Sequence, residues 1–551
     1  MKIQPRILFI TTTVIALLLW DFMLPPSELL EFEPSFKSVA PPLAAIFMAL
    51  FTHQIILSLF IGIWIGSTLL LGNNPIEGLL SVIDTRIINS IIEYDQARIL
   101  IFTIGFGGLI GVVSANGGMK GVIKSASRYA TTRKSGQLAT MIMGIFIFFD
   151  DYANTLFVGN MMRPLTDKLK VSREKLAYIV DSTSAPIASI AILSTWSVFQ
   201  MSLLEAPYKS FGVTENPYIT FINSIPYSFY CIFTILFVGY LIFSGRDYSN
   251  MLKAEKRVLN KGEVFAEGAQ PLSNNEINKP ENFLSVSSHW TNAMLPIGFL
   301  ILITLLGLYI TGLENLSYFE NHSIRNIIGA SDPYKALIWG SLLAGFFSII
   351  LTYAMKVLSL RKSIEAWVDG GKSMLMACMI LILAWTMGDI CSEVKTADYI
   401  IGLSDGILTP NLLPVVTFIT AAIVSFCTGT SWGTMPILVP IAIPLAFNLL
   451  GGDPNSLLSH PIYLATFASI LSGCVFGDHC SPLSDTTILS SIASGSDHID
   501  HVRTQFPYAI TTGLISLLLG YALVPHIPVF LSIIFGAIAV FYIINKLGKR
   551  P

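Results

Sequence analysis

Apolar stretches long enough to cross a lipid bilayer recur along almost the whole chain, and nothing else in the sequence restricts its fold as strongly. Residues 7–24, 39–71, 221–243, 291–310, 334–356 and 373–390 are the plainest of them. A helix needs about 20 mostly apolar residues to cross a hydrocarbon core of about 30 Å. Composition agrees: of 551 residues, 53% are hydrophobic and 12% charged, with a mean hydropathy of +0.66. A soluble domain carries roughly 25% charged residues. In lipid every backbone N–H and C=O must be paired inside the protein, and for segments of this length that means helices. The expected fold is an all-α polytopic membrane protein, one transmembrane unit over 1–551, whose first partner is the lipid bilayer. The run 7–24 is long for a signal peptide and lacks an A-x-A cleavage pattern, so it reads as a retained span. A net charge of −2 offers nothing to a nucleic acid. Cys231, Cys378, Cys391, Cys427, Cys474 and Cys480 sit singly in apolar segments without C-x-x-C spacing. They read as small buried hydrophobes, with neither a zinc site nor a disulfide framework.

Lysine and arginine concentrate in cytoplasmic loops, and this sets the orientation. Lys2 and Arg6 at one terminus, and Lys546, Lys549 and Arg550 at the other, place both termini in the cytoplasm. The segment with Glu77, Asp84, Glu93 and Asp95 reads as external, so 39–71 should hold two short helices that turn near Thr52 and His53. Two strongly basic loops, 120–134 and 163–175, flank the apolar stretch 137–162. A single crossing would put one of them outside, whereas a re-entrant hairpin that dips in and returns keeps both inside. The middle of that stretch, 148–155 (FFDDYANT), is the polar tip such a hairpin needs. A second interruption, 427–434 (CTGTSWGT), splits 412–450, whose flanks are poor in Lys and Arg, and reads as a hairpin entering from outside. Segment 244–288 has mixed charge and little periodicity. It is expected to be a cytoplasmic connector between two halves, 39–243 and 289–545.

The two interrupted regions resemble each other. In the first half Asn154-Thr155-Leu156 leads to Pro164-Leu165, and then to a helix broken at Asp181-Ser182-Thr183-Ser184-Ala185-Pro186. In the second half Gly433-Thr434-Met435 leads to Pro444-Leu445, and then to a break at Asp478-His479-Cys480-Ser481-Pro482. Hairpins entering from opposite faces make these inverted-topology repeats with interrupted transmembrane helices, the main sequence pointer to a secondary transporter's binding site. Asp150, Asp151, Asp181, Asp478 and Asp485 fall at membrane depth in this scheme, where a carboxylate costs about 2.5–3.5 kcal/mol on insertion scales and usually has a function. Asn154, Thr155, Thr183, Ser184, Thr430, Ser431, Thr434 and Ser481 add neutral oxygens, and carboxylate plus neutral oxygen suits a hard cation. His479 reads either as a satisfied buried histidine or as a proton relay, and Asp485 either as a ligand or as a cap on the helix after Pro482. The glycine-rich run 105–118 lacks the strand-then-helix setting of a dinucleotide motif and reads as close helix packing.

The segments FFDDYANTLFVGNMMRPLTDKL (148–169), KLAYIVDSTSAPIASIAILSTW (175–196), TGTSWGTMPILVP (428–440) and FGDHCSPLSDTTILSS (476–491) resemble the NhaC-type sodium/proton antiporter family. The resemblance runs from about Pro41 to about Pro525 and implies two inverted repeats with paired re-entrant hairpins. It also implies a secondary transporter exchanging Na+, with Li+ as a second candidate, for H+, and needing no cofactor and no resident metal. Small inorganic cations are then the second class of partner, and the scheme leaves room for a homodimer. The family's substrate range is wider than its fold, so a sodium- or proton-coupled carrier of malate, lactate or an amino acid is the alternative. An intramembrane aspartyl protease would want Gly-x-Gly-Asp, and Val475-Phe476-Gly477-Asp478 lacks the first glycine; no enzyme is expected. A channel fits inverted broken-helix repeats less well than alternating access does.

Overall fold

The computed structural model describes residues 32–52, 54–127, 130–269, 289–316, 330–396, 409–451, 457–482 and 484–551, with a few isolated positions besides. The span expected at 7–24 and the turn at His53 lie outside the described residues. Apart from one isolated bridge between Asp247 and Lys549, the regular structure among the described residues is helical.

In chain order the helices are α1 (Ala40–Thr52), α2 (Ile55–Leu70), α3 (Pro75–Ile92), α4 (Tyr94–Ala115), α5 (Gly118–Ser127), α6 (Arg133–Phe146) and α7 (Asp151–Lys168). Next come α8 (Arg173–Ser182), α9 (Ala185–Ile190), α10 (Thr195–Ser202), α11 (Glu205–Phe211), α12 (Pro217–Ser224), α13 (Phe229–Ser244) and α14 (Ser249–Lys261). After the undescribed part of the connector follow α15 (Thr291–Asn315), α16 (Pro333–Ala354), α17 (Leu360–Ser373), α18 (Leu375–Glu393), α19 (Leu413–Thr428) and α20 (Ser431–Leu449). The last are α21 (Pro461–Cys480), α22 (Asp485–Ser494), α23 (His498–Ile515) and α24 (Val529–Leu547). Among the described residues eight helices are long and apolar enough to cross a bilayer, or up to eleven if each of three bent pairs is one span. The chain is thus a polytopic all-α membrane protein.

Two departures from the sequence reading have clear causes. The acidic segment 75–92, which the sequence marks only as external, is helix α3, bent 119° from α2. Its Ile76, Leu80, Ile83, Ile88 and Ile92 are exposed, an apolar face at helical spacing interleaved with Glu77, Asp84 and Arg86. In the connector, 249–261 forms α14, with Met251, Ala254 and Val258 buried on one face. Helix α14 gathers the ends of several elements. The Glu255 carboxylate accepts from Arg133 at the start of α6 and from the Ser172 backbone N–H that precedes α8. Arg257 binds Glu174 at 2.9 Å, and just before α14 the buried pair Lys175–Asp247 closes at 2.5 Å, with Tyr508 donating to Asp247.

Elsewhere close packing uses the glycines of α4. A Cβ on Gly107 or Gly111 would run into the backbone of Gly370 and Ala366 on α17, and one on Gly108 into the Trp367 indole. Missing side chains here let two helices approach to backbone contact, as expected where lipid supplies no hydrophobic drive and packing must.

Because Arg133 and Ser172 meet the same Glu255, both basic loops lie at one end of the molecule. Single cysteines at the exposed Thr131 and Lys168, with the six native cysteines replaced, should both react with an impermeant reagent from the cytoplasmic face and neither from the other. Labelling from opposite faces would mean that α6 and α7 together make one crossing.

Candidate functional site

The geometry is built on two helix–break–helix units. In the first, α6 ends at Phe146 and α7 begins at Asp151. The chain folds back between them: Asn154 Nδ2, on the first turn of α7, lies 2.6 Å from the Gly144 carbonyl and 3.0 Å from that of Ile147. In a continuous helix residues ten apart are about 15 Å apart. The same nitrogen reaches the Thr183 carbonyl at 2.8 Å, so one buried amide ties the tip to the break between α8 and α9. Asp150 caps α7, accepting from the Ala153 N–H at 2.8 Å and from Thr195 Oγ1 at 3.2 Å.

The second unit matches the first in backbone. Its cap residue Thr430 has φ −156° and ψ 128°, against −158° and 132° at Asp150, and it follows Gly429, whose φ of +71° is the left-handed turn glycine permits. Matching the caps pairs Asp151 with Ser431, Asn154 with Thr434 and Pro164 with Pro444, with equal spacing in both units. The sequence comparison had set Thr155 against Thr434, one position out of step, because it followed residue identity instead of the cap. Thr155 and Thr434 both return their hydroxyls to the carbonyl four residues back, at 2.8 and 2.9 Å. Near the break Thr183 likewise donates four residues back, to the Ile179 carbonyl, and Ser184 three residues back, to that of Asp181.

The two broken helices meet at Asp181. Its Oδ2 accepts from Thr487 Oγ1 at 3.0 Å and Gln505 Nε2 at 2.6 Å, and its Oδ1 from Ser490 Oγ at 3.2 Å. Gln505 Nε2 spends its other hydrogen on the His479 carbonyl at 2.7 Å, joining the break of α8–α9 to the end of α21. His479 lies 3.6 Å from Asp181 and makes a 2.8 Å hydrogen bond from Nδ1 to Tyr230; His501 Nε2 pairs with Gln505 Oε1 at 3.0 Å. Gln505, His501, Thr487, Ser490 and Tyr230 were not singled out in the sequence. Thr487 and Ser490 lie within the motif 476–491, and His501 and Gln505 stand one helical turn apart on the polar first half of α23.

Asp478, on α21, accepts from Ser431 Oγ at 3.0 Å through Oδ2, while its Oδ1 has no partner. Asp485 is the first residue of α22, whose cap is Ser484 and not Asp485. Ser481 ends α21 and is buried. Asp151 is 1% exposed, and neither of its carboxylate oxygens has a hydrogen-bond partner. Asn154 Oδ1 and the indole N–H groups of Trp196 and Trp432 are likewise buried and unpartnered. Trp196 lies beside Asp151, and its ring meets Trp432 edge-on at 5.8 Å, so the two tips approach each other through these indoles. Tyr152, next to Asp151, stands within electrostatic reach of Asp478 and Asp485. All these residues belong to a closely packed interior, and no three His, Cys, Asp or Glu side chains among the described residues converge on a metal centre.

Residues 192–524 match the profile of the Na+/H+ antiporter family. The chain is 32% identical over 507 residues to an uncharacterized protein of Haemophilus influenzae, covering 90% of this chain and 92% of that one. It is 32% identical over 187 residues to a malate-2H(+)/Na(+)-lactate antiporter of Bacillus subtilis, covering 33% and 36%, and 27% identical over 193 residues to the Na(+)/H(+) antiporter NhaC of Alkalihalophilus pseudofirmus, covering 34% and 38%. The crystal structure of the YdaH transporter of Alcanivorax borkumensis aligns over 82% of this chain and 90% of its own, with a TM-score of 0.52 and 14% identity; a likeness that remote concerns the fold alone.

Removing the Asn154 amide strips hydrogen bonds from three buried carbonyls, each at a cost of roughly 1–3 kcal/mol when left unpaired. Asn154→Leu should therefore lower the melting temperature of the purified protein markedly, and more than Asn160→Leu, whose amide binds a single carbonyl of its own helix. Equal melting temperatures would remove the tip brace from this description.

Proposed function

This chain belongs to the Na+/H+ antiporter family, and from that premise we propose that it exchanges sodium for protons across the cytoplasmic membrane, both termini lying in the cytoplasm. The two helix–break–helix units are read as inverted re-entrant hairpins whose tips meet at mid-membrane. The observation that carries the reading is Asp151: a fully buried carboxylate with no well-formed hydrogen bond to either oxygen, only the Trp196 indole and the backbone N–H groups of Asp151 and Tyr152 turned towards it, and no basic neighbour among its described contacts. An ionised carboxylate left bare in a dry interior is strongly unfavourable. Either a proton or a cation neutralises it, and one excludes the other. Arrival of Na+ at Asp151 releases the proton, and departure of Na+ on the other side requires a proton in return, which is exchange by competition. Asp478, with one free oxygen and Ser431 on the other, is the second such carboxylate. Asn154 Oδ1 is a further unpartnered acceptor near the first tip.

Asp181 and Asp150 differ in kind. Asp181 is saturated by three neutral donors, which stabilise its charge without a cation; its role in this reading is to hold the two breaks together. Asp150 is occupied as a helix cap. The ion-coupling assignment thus narrows from the whole set Asp150, Asp151, Asn154, Thr155, Asp181, Thr183, Ser184, Thr430, Ser431, Thr434, Asp478, His479, Ser481 and Asp485 to Asp151 and Asp478 with the neutral oxygens beside them.

A coupled organic-solute carrier is the second reading, favoured by one specific observation. Trp196 and Trp432 present unpartnered N–H groups, donors that cannot ligate a cation but could bind a carboxylate.

Reconstituted protein in liposomes with a pH-sensitive dye tests the first reading through sodium, lithium and potassium pulses. Asp151→Asn and Asp478→Asn should abolish sodium-driven proton flux, while Asp181→Asn, which keeps one of the two acceptor oxygens that Thr487, Gln505 and Ser490 share, should reduce it without abolishing it. Unchanged flux in both of the first two variants sinks the assignment. Because the proton competes with the cation, the sodium concentration giving half-maximal flux should fall by about tenfold per pH unit on the acid side and level off on the alkaline side; a pH-independent value contradicts competition. If malate, lactate or an amino acid stabilises the purified protein against heat only with sodium present, and counterflow shows its transport, the carrier reading replaces the exchanger.

A further inference from the structure

At the basic-loop end of the molecule two histidines share one serine. Ser491, near the end of α22, has its Oγ 2.9 Å from His501 Nδ1 and 3.1 Å from His498 Nδ1, the two rings standing one turn apart at the start of α23. Arg173, in the second basic loop, fixes the place: it donates to the Gly495 carbonyl, between α22 and α23, at 3.0 Å. His498 is half-buried and His501 fully buried, so the cluster runs inward from the surface.

With both rings neutral the cluster is one hydrogen short. Gln505 Nε2 lies 2.6 Å from Asp181 Oδ2 and 2.7 Å from the His479 carbonyl, so its oxygen is the atom turned to His501. His501 Nε2, 3.0 Å from that oxygen, must carry a hydrogen. His498 Nε2 must carry one too, because it lies 2.7 Å from the Pro482 carbonyl. A neutral imidazole holds a single hydrogen, so each Nδ1 is then a bare acceptor. Both face one hydroxyl, whose only hydrogen the Thr487 carbonyl at 2.8 Å also attracts. At least one Nδ1 is left lone pair to lone pair against Ser491. One added proton removes the conflict: the ring that takes it donates through Nδ1 to Ser491 Oγ, and the Ser491 hydroxyl donates to the other ring. A second proton would set two imidazolium charges on one hydroxyl, and their repulsion opposes it.

The surroundings suit a single positive charge. Asp181 Oδ2, on α8, is 4.0 Å from His501 Nε2. His479, on α21, lies 3.6 Å from the same oxygen, with its Nδ1 held by Tyr230 of α13. Asp485 stands at the opposite end of α22 from Ser491. The acids and bases of α14 and of the start of α8 are spent in the ion pairs already described. Beside His498, Asp497 caps α23 through the N–H groups of Ile499 and Asp500, and Asp500 is within electrostatic reach of Arg503 and Arg257.

We propose that His498, Ser491 and His501 form a proton-binding site that holds one proton between its two rings and sets a positive charge beside Asp181. The step is the addition of H+ from the aqueous face to the neutral pair, giving one shared imidazolium. Asp181 and Gln505 tie the breaks of both halves together, so this proton acts on that brace and is separate from those exchanged at Asp151 and Asp478. The proton site stands without the exchange reading; what it does for transport rests on it.

Solid-state NMR of the full-length protein in liposomes, with isotope-labelled histidine, follows the ring nitrogens through pH. His498 and His501, assigned by the signals lost in His498→Gln and His501→Gln, should change together in one transition that adds one proton to the pair. Ser491→Ala should lower its midpoint by about one pH unit, a tenfold loss of proton affinity, and Ser491→Thr should restore it. Asp181→Asn, which removes the facing anion, should lower it as well. Two independent transitions, or a midpoint that Ser491→Ala leaves in place, overturn the site. Should that variant fail to fold, His501 in His498→Gln must titrate at lower pH, and an unmoved His501 overturns the site equally. A shared transition in a protein without sodium-driven proton flux keeps this site and sinks the exchange reading; flux without a shared transition does the reverse.

Discussion

A helix broken inside a membrane frees backbone N–H and C=O groups that water cannot satisfy, and the rest of this structure depends on how those groups are closed. Here the closure is made by a few buried polar side chains placed at the breaks. Asn154 serves the carbonyls of Gly144, Ile147 and Thr183, and Gln505 serves that of His479. Each joins elements distant in sequence, so the same bonds that make the breaks tolerable also fix the tips against the broken helices. Once those accounts are settled, the groups left without partners are few. Several of them lie where the tips meet, on Asp151, Asn154, Asp478, Trp196 and Trp432, while others such as Ser67, Thr234, Asn292 and Ser348 are single hydroxyls and amides scattered through the bundle.

Whether a buried carboxylate is structural or exchanges its charge is decided by its donors, and residue type alone does not reveal this. Asp181 and Asp478 occupy comparable places before their breaks, yet three neutral donors bind Asp181 while Asp478 has only the hydroxyls of Ser431 and Ser484 at hand and one oxygen without a well-formed hydrogen bond. Neighbouring Asp150 and Asp151 divide in the same way, one capping a helix and the other bare. Neutral donors hold an anion permanently; only an unserved anion must take up and give back a positive charge. The asymmetry between the halves follows, since Thr430 and Ser431 stand where the first tip carries Asp150 and Asp151.

Much of the architecture was legible because lipid forces polar residues to declare themselves. The breaks at 147–150, 183–184, 429–430 and 481–484 coincide with the polar interruptions read from the sequence, and the paired basic loops predicted a fold-back that the shared partner Glu255 matches. What stayed hidden had weaker signals. The register between the two tips is set by cap dihedrals, which sequence identity does not report, and so Thr155 was matched to Thr434 where Asn154 belongs. Gln505 and His501 lie among the polar residues that open α23, where nothing sets them apart from a solvated helix end, and their role exists through contacts to Asp181, more than 300 positions away.

Charge balance at the tips bears on what is carried. A sodium ion brings one positive charge to one bare carboxylate and leaves the interior neutral. A dicarboxylate would add negative charge beside Asp151 and Asp478, with no arginine or lysine among their hydrogen-bond or ion-pair partners; the buried Lys175 is already paired with Asp247 at the far end of α8. Two indole N–H groups could hold an anion only if both carboxylates were protonated or cation-bound first. Any organic anion here must therefore travel with cations, at least one for each carboxylate neutralised, and the cation site is the common requirement of both readings. That ordering places the inorganic ion first in the mechanism whatever else is moved.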